Sequence, residues 1–236
     1  MDRELARKAT AEAVGTALLV AVVVGSGIFA QRLSPGDGGL ELLENSLATG
    51  AGLMALILAF GAVSGAHFNP VVSLADRVLG GLTTRELAAY LPAQVVGGCA
   101  GTVIANLMFD LPAVAVSTHV RSSGGLWLGE TVATFGLLTV IVGVVRSGRL
   151  SAAPFAVGGY IAAAYWFTSS TAFANPAVTV ARTLTDTFAG IRPSSAPAFV
   201  VAQMAGGAVA VALAWFLHPD LRAEAVVMPH PEEQRS

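Results

Sequence analysis

The chain has 236 residues, of which 54% are hydrophobic and 12% charged, and its formal net charge is −2. Soluble domains carry about 25% charged residues, so this composition argues against a water-soluble globule. The near-neutral charge, with three Trp and three Tyr, argues against a nucleic-acid-binding surface, and the single cysteine excludes an intramolecular disulfide and a cysteine-based metal site.

Six charge-poor runs follow one another along the chain. A hydrocarbon core about 30 Å thick is crossed by about 20 apolar residues of helix, and four of the runs have that length. The second and fifth hold 31 and 32 residues, which is too long for one crossing and too short for two. The six runs are residues 9–30, 45–75, 87–109, 126–145, 150–181 and 193–217.

Each of the two long runs is interrupted once by Asn-Pro, at Asn69-Pro70 and at Asn175-Pro176. Asn is a favoured helix N-cap and Pro suits the first helical turn, so each dipeptide predicts the start of a new helix. We expect each of these half-helices to run for about ten residues, or about 15 Å, which is half the membrane. The residues before each cap must then be non-helical at membrane depth, which is tolerated only beside a cavity or inside protein. The sequence therefore predicts a water-filled path.

Three features of the first half recur in the second. The segment "AEAVGTALL" matches "GETVATFGLL", which aligns Glu12 with Glu130; the two Asn-Pro pairs correspond; and "AQVVGG" matches "AQMAGG". Because each half holds three spans, the second copy must insert upside down, and inverted repeats with interrupted helices place the functional site at the midplane. The pattern predicts an all-α membrane protein with six transmembrane helices and two re-entrant half-helices. We expect a single domain over residues 1–236, with repeats at about 9–109 and 125–217 and a cytoplasmic tail at 218–236.

The distribution of Lys and Arg predicts the orientation. Six spans put both termini on one side, and nine basic residues share that side while four share the other, so the positive-inside rule places both termini in the cytoplasm. The nine are Arg3, Arg7, Lys8, Arg77, Arg85, Arg146, Arg149, Arg222 and Arg235, and the four are Arg32, Arg121, Arg182 and Arg192.

Two segments resemble the asparagine-proline-alanine boxes of the major intrinsic proteins, the aquaporins and glycerol channels: "SGAHFNPVVSL" and "FANPAVTVAR". The pairs Glu12 with Thr16 and Glu130 with Thr134 resemble that family's Glu-x-x-x-Thr signature. The resemblance covers roughly residues 9 to 217 and implies an aquaporin-like fold, a homotetramer in the bacterial inner membrane and a passive pore for small neutral solutes in every subunit. It implies no enzymatic activity and no cofactor. The box residues carried over are Asn69, Pro70, Val71, Asn175, Pro176 and Ala177.

The expected pore chemistry follows from the half-helices. Two helix N-termini, each carrying roughly +0.5 elementary charge, disfavour a cation at the narrow centre. We expect the amides of Asn69 and Asn175 to donate to a passing solute oxygen. Backbone carbonyls along one wall are expected to accept from the solute; these belong to Gly65, Ala66, His67, Thr171, Ala172 and Phe173.

The sequence departs from the family pattern at its outer constriction. Val71 replaces the alanine of the first box, a small change, but the arginine that usually follows the second box is here Val178. The family's usual spacing places the four constriction positions at Thr49, Ala163, Ala172 and Val178, all small and uncharged. This predicts a wide, arginine-free selectivity filter. The missing arginine resembles an atypical bacterial branch associated with arsenic resistance, so water, glycerol-like polyols and neutral arsenic or other metalloid species all stay open as solutes.

Several residues allow two interpretations. Arg182 lies one turn beyond Val178 and either reaches back into the pore or forms a vestibule ion pair with Asp186 at i+4. Glu12 and Glu130 either accept hydrogen bonds from the non-helical backbone, which we favour, or relay protons. The ring of His67 would be a metal ligand only with partners that its sequence neighbourhood does not offer.

The function of the whole chain also allows alternative interpretations. Secondary transporters share inverted repeats and broken helices, but they commonly keep ionisable coupling residues at the midplane, where this chain offers only the two glutamates. An intramembrane enzyme is disfavoured because the sequence contains no Gly-x-Ser-x-Gly and no His-Glu-x-x-His motif.

Overall fold

The computed structural model describes residues 2–218, and that part of the chain contains eight α-helices and no strand. Six helices are long and apolar enough to cross a membrane, α6 being counted with the 3-10 turn before it. The prediction of an all-α protein with six spans is thus confirmed, whereas all of the predicted tail except His218 lies outside the described residues. The helices are α1 (Arg3–Leu33), α2 (Gly38–Ser64), α3 (Pro70–Leu79), α4 (Thr84–Met108), α5 (Gly124–Arg146), α6 (Ala153–Phe167), α7 (Pro176–Ala181) and α8 (Ala196–Leu217).

The two half-helices, α3 and α7, begin at the prolines of the Asn-Pro pairs. Asn69 and Asn175 have extended backbones, and their side chains accept hydrogen bonds from backbone N–H groups of the first turn, as N-caps do. Helix α3 has the expected ten residues. Helix α7 has only six and continues as a 3-10 turn over Arg182–Leu184, because the carbonyl of Arg182 accepts from the N–H of Ile191 across the following loop.

The residues directly before each half-helix form non-helical segments, 65–68 and 171–174, with an unusual backbone. Ala66 and Phe68 in the first, and Thr171, Ala172 and Ala174 in the second, have φ between 46° and 61°. Left-handed conformations in non-glycine residues cost about 1–3 kcal/mol each and persist only where the surroundings impose them. These two segments are therefore held by other parts of the protein.

The long helices pack in the same way in both halves. Helix α1 contacts α4 and α2, helix α5 contacts α8 and α6, and α2 meets α6 between the halves. Glycines allow the closest approaches: Gly97 of α4 faces the backbone carbonyl of Ala13 in α1, and Gly206 of α8 faces that of Thr131 in α5. A Cβ atom at either glycine would overlap that carbonyl oxygen, so only glycine permits these helix distances.

The loops divide between two ends of the bundle. At one end the N–H of Phe188 donates to Gln31 Oε1 (3.0 Å), which joins the loop after α7 to the end of α1. At the other end Lys8 Nζ lies 2.9 Å from Glu86 Oε1, which joins the start of α1 to the start of α4. Large apolar side chains are exposed along the outside of the spans, as expected of a surface that faces lipid; examples are Leu18, Leu58, Val96, Ile104, Val201 and Phe216.

Candidate functional site

A cavity of about 70 Å³ lies where the two half-helices begin. A buried water needs at least about 10–15 Å³, so the cavity has room for several water molecules. Most of its lining is aliphatic and comes from single faces of the long helices. The face of α2 consists of Thr49, Leu53 and Ile57, and the face of α6 consists of Ala153, Val157, Ile161 and Tyr165.

The two asparagines line this cavity and bridge the half-helices reciprocally. Asn69 Nδ2 donates to the carbonyl of Ala174 (2.7 Å), and Asn175 Nδ2 donates to the carbonyl of Phe68 (2.7 Å). An amide NH2 group has two hydrogens, so each asparagine keeps one N–H for another acceptor. Because both amides are fixed at their oxygen by the cap and at their nitrogen by the bridge, these remaining donors are pre-oriented.

Glu12 holds the first non-helical segment from inside the protein. Its carboxylate is fully buried and accepts from the N–H groups of His67 (3.0 Å) and Phe68 (2.7 Å). It also accepts from Ser64 Oγ (2.6 Å) and Gln94 Nε2 (2.7 Å). Four donors thus converge on one carboxylate, which satisfies the backbone groups that the left-handed segment leaves unpaired.

Glu130 does the same in the second half. It is fully buried and accepts from the N–H groups of Phe173 and Ala174, both at 2.9 Å. Gln203 Nε2 donates to it (2.6 Å) and also to Thr179 Oγ1 (2.9 Å) on the half-helix. The repeated arrangement supports the structural interpretation of the two glutamates over a proton relay.

His67 lines the cavity, and its ring is held by contacts at both nitrogens. Its Nδ1 is 3.0 Å from Ser73 Oγ and its Nε2 is 3.6 Å from Asp76 Oδ2. Within residues 2–218 no group of three His, Cys, Asp or Glu side chains is arranged to bind a metal ion.

The structure brings three of the four predicted constriction positions together and corrects the fourth. Thr49, Ala172 and Val178 line the cavity, whereas Ala163 is exposed on the outer face of α6. Tyr165 of the same helix lines the cavity instead, with its hydroxyl 3.3 Å from Thr49 Oγ1. Two residues correspond to about 200° around a helix, so counting by the family's spacing selected the opposite face. The i, i+4 series of 153, 157, 161 and 165 is the sequence signal that identifies Tyr165.

Of the two interpretations of Arg182, the structure favours the one in which its side chain reaches the cavity. It is 2% exposed and lines the cavity, its guanidinium carbon lies 3.4 Å from the centre of the Phe173 ring, and its Nε donates to the carbonyl of Ala189. The alternative ion pair with Asp186 is not formed. Asp186 instead accepts from the N–H of Thr118 (2.8 Å), a bond that lowers the pKa of this exposed carboxyl.

The remaining predicted residues divide into two groups. Gly65, Ala66, His67, Ala172 and Phe173 line the cavity, but Thr171 does not. The box residues after each asparagine are buried behind the cavity surface rather than on it; they are Pro70, Val71, Pro176 and Ala177.

Comparison with known proteins agrees with this geometry. The family model described as "Major intrinsic protein" matches residues 2–171. The chain is 53% identical to aquaglyceroporin AqpS of Rhizobium meliloti over 92% of both chains. It is 30% identical to the probable aquaporin AqpM of Archaeoglobus fulgidus, over 91% of this chain and 97% of that one.

A solved structure shows the same fold. The X-ray structure of the aquaglyceroporin from Plasmodium falciparum superposes with a TM-score of 0.74 at 22% identity, and the match covers 92% of this chain and 98% of that one. From the family match and the relatives, the chain belongs to the major intrinsic protein family and is a membrane channel rather than an enzyme.

Proposed function

We propose that the chain forms a passive channel for small uncharged solutes that carry hydroxyl groups, namely glycerol-like polyols and neutral metalloid hydroxides such as arsenite, together with water. The observation that carries the proposal is the composition of the cavity. Oriented donors from Asn69, Asn175 and Arg182 face an otherwise largely aliphatic lining. The R. meliloti relative, named an aquaglyceroporin, supports the polyol class.

The geometry suits passage of a neutral solute. Each asparagine offers one N–H to a solute oxygen, which replaces part of that solute's hydration. The aliphatic side chains replace none of it, so the solute is bound weakly enough to leave, as fast conduction requires. A cation meets the N-terminal end of α3, which carries a partial positive charge, and finds no carboxylate among the residues that line the cavity.

We propose a single channel domain made of two inverted repeats, inserted in the bacterial inner membrane as a homotetramer with both termini in the cytoplasm. The contact of Lys8 near the start of α1 with Glu86 near the start of α4 supports this orientation, because the sequence concentrates Lys and Arg at that end of the bundle. The apolar outer faces of the spans supply surface for lipid and for neighbouring copies.

A solute panel on purified protein in liposomes tests the function. We expect stopped-flow light scattering to show faster entry of glycerol, urea and water than in empty liposomes, and arsenic analysis to show arsenite uptake. Flux should rise linearly with the solute gradient. Uphill accumulation under a proton gradient would instead support the secondary transporter, and entry of water alone would contradict the proposed solute class.

Val178→Arg is expected to narrow the mouth. Val178 is buried at the cavity surface, so a long side chain there occupies the path and should slow glycerol more than water. The same stopped-flow assay measures the glycerol-to-water permeability ratio. An unchanged ratio in a folded variant would contradict the placement of Val178 at the constriction.

A further inference from the structure

A second cavity, separate from the one at the half-helices, is a groove between the C-terminal parts of α5 and α8. Its volume is about 70 Å³, and its lining includes Val142 and Gly143 of α5 and Leu213 and Leu217 of α8. Thr139 also lines the groove, but its hydroxyl donates to a carbonyl of its own helix (2.8 Å). The groove therefore offers mainly apolar surface, which suits an aliphatic chain.

The groove lies at the same end of the bundle as the start of α4. Leu79, the last residue of half-helix α3, packs against Val142 and Ala214, two residues of the groove lining. Arg77 in the same half-helix donates from its Nε to Thr84 Oγ1 (3.0 Å), at the first residue of α4. This is the end at which the sequence concentrates Lys and Arg.

The end of α8 indicates the depth of the groove in the membrane. Trp215 and Phe216 are 51% and 82% exposed, and Trp is enriched at the membrane–water interface. Along α8 the groove extends from Ala210 to Leu217, which corresponds to about 10 Å of helix, or a third of the hydrocarbon core. It thus begins at the level of the lipid headgroups and continues into the acyl-chain region.

Two arginines lie where α5 ends. Arg146 follows Val142 by four residues, hence on the same helix face, and the N–H of Arg149 turns back to the carbonyl of Val144 (3.3 Å). Among residues 2–218 no carboxylate lies within salt-bridge distance of either arginine. Arg146 Nε is moreover buried without a hydrogen-bond partner, which is unfavourable. The charge beside the groove is therefore positive and unneutralised by the described part of the chain.

We propose that the groove and the two arginines bind an anionic phospholipid, with one acyl chain along the groove and the phosphate against Arg146 and Arg149. Guanidinium groups bind phosphate oxygens through paired, charge-assisted hydrogen bonds. A soluble anion would gain nothing from the apolar lining, whereas a lipid supplies a chain and a charge in the order in which the site presents them. The inference rests on insertion in a membrane and not on the solute that the channel conducts.

Native mass spectrometry of the full-length protein in detergent measures this binding. The protein is titrated with phosphatidylglycerol, with phosphatidylcholine of the same acyl chains and with glycerol 3-phosphate. We expect phosphatidylglycerol to bind most tightly and glycerol 3-phosphate not to be retained. One basic residue near a membrane surface changes the affinity for anionic lipid about fivefold. The double variant Arg146→Gln with Arg149→Gln should therefore bind phosphatidylglycerol about thirtyfold more weakly, with little change for phosphatidylcholine.

Matched variants separate the site from general charge and from general hydrophobicity. Arg3→Gln with Arg7→Gln removes the same charge from exposed positions at the start of α1 and should change the affinity less than twofold. Leu213→Trp fills the groove without changing the charge and should weaken binding of phosphatidylglycerol at least about tenfold. Val209→Trp adds the same side chain at an exposed position outside the groove lining and should have no effect.

Size-exclusion chromatography and a thermal melt establish folding and oligomeric state. If Leu213→Trp does not fold, Leu217→Trp fills the groove from a half-exposed position. Equal affinity of the parent for both phospholipids, or equal weakening by the two double variants, overturns the inference. Tight binding of glycerol 3-phosphate would instead indicate a soluble anion, and an altered oligomeric state in Leu213→Trp a contact between copies; either result also overturns it. A parent that binds lipid but passes no solute contradicts only the channel proposal.

Discussion

Glu12→Ala is expected to abolish the folded channel. The substitution leaves four buried donors without their acceptor, two of them backbone N–H groups of the left-handed segment. Each unsatisfied buried donor costs about 1–3 kcal/mol, and typical domains are stable by only about 5–15 kcal/mol. Thermal melting in detergent, followed by tryptophan fluorescence, measures the loss together with the yield of monodisperse protein.

The same helix supplies the control. The carboxylate of Glu4 is 64% exposed and pairs with Lys8 at 2.8 Å, and exposed pairs of this kind contribute about 0–1 kcal/mol. Glu4→Ala should therefore leave the melting temperature nearly unchanged. A Glu12→Gln variant that melts like the parent but alters proton-coupled flux would instead favour the proton-relay interpretation.

After Glu12→Ala, we expect Gly97→Ala to lower stability most, because its added methyl group would overlap a backbone atom of the neighbouring helix. A Cβ atom at Gly97 overlaps the carbonyl of Ala13 in the neighbouring helix, and this contact cannot be relieved by rotating a side chain. Forcing extra atoms into close packing costs about 1–3 kcal/mol and more where backbone must move. We expect a melting temperature lowered by several degrees and less folded protein.

Gly143 in α5 is the matched control, because nothing lies within 4 Å of a Cβ atom placed there. Gly143→Ala should stabilise the helix by about 0.5–1 kcal/mol. If Gly97→Ala and Gly143→Ala shifted the melting temperature equally, the close approach of α1 and α4 would not explain the requirement for glycine at position 97.

The sequence predicted the parts of the site that depend on local chemistry. Asn-Pro specifies a cap and a first turn wherever it occurs, so both half-helix starts were predictable. The pairing of Glu12 and Glu130 with unpaired backbone N–H groups followed from their matching places in the repeat. These features depend on short stretches whose geometry is nearly independent of the remaining fold.

The residues of the constriction were harder to predict, because they depend on the rotation of each helix about its axis and on the course of the loops between helices. An offset counted from the second box pointed to Ala163, while the lining series in α6 ends at Tyr165. The sequence left two interpretations of Arg182 open. The direction of its side chain is set by contacts with Ala189 and Ile191, which lie in the loop after α7. The course of that loop cannot be predicted from the sequence of the half-helix. Tertiary contacts thus decide the positions that face the solute.

The reciprocal asparagine bridges impose an order on biosynthesis. Asn69 donates to a carbonyl 105 residues further along the chain, and Asn175 to one 107 residues earlier. When the ribosome has completed the first repeat, its re-entrant stretch still lacks the acceptor that will hold Asn69. The bridge from Asn69 can form only after the second repeat has entered the bilayer, so the junction between the two half-helices is completed late in synthesis.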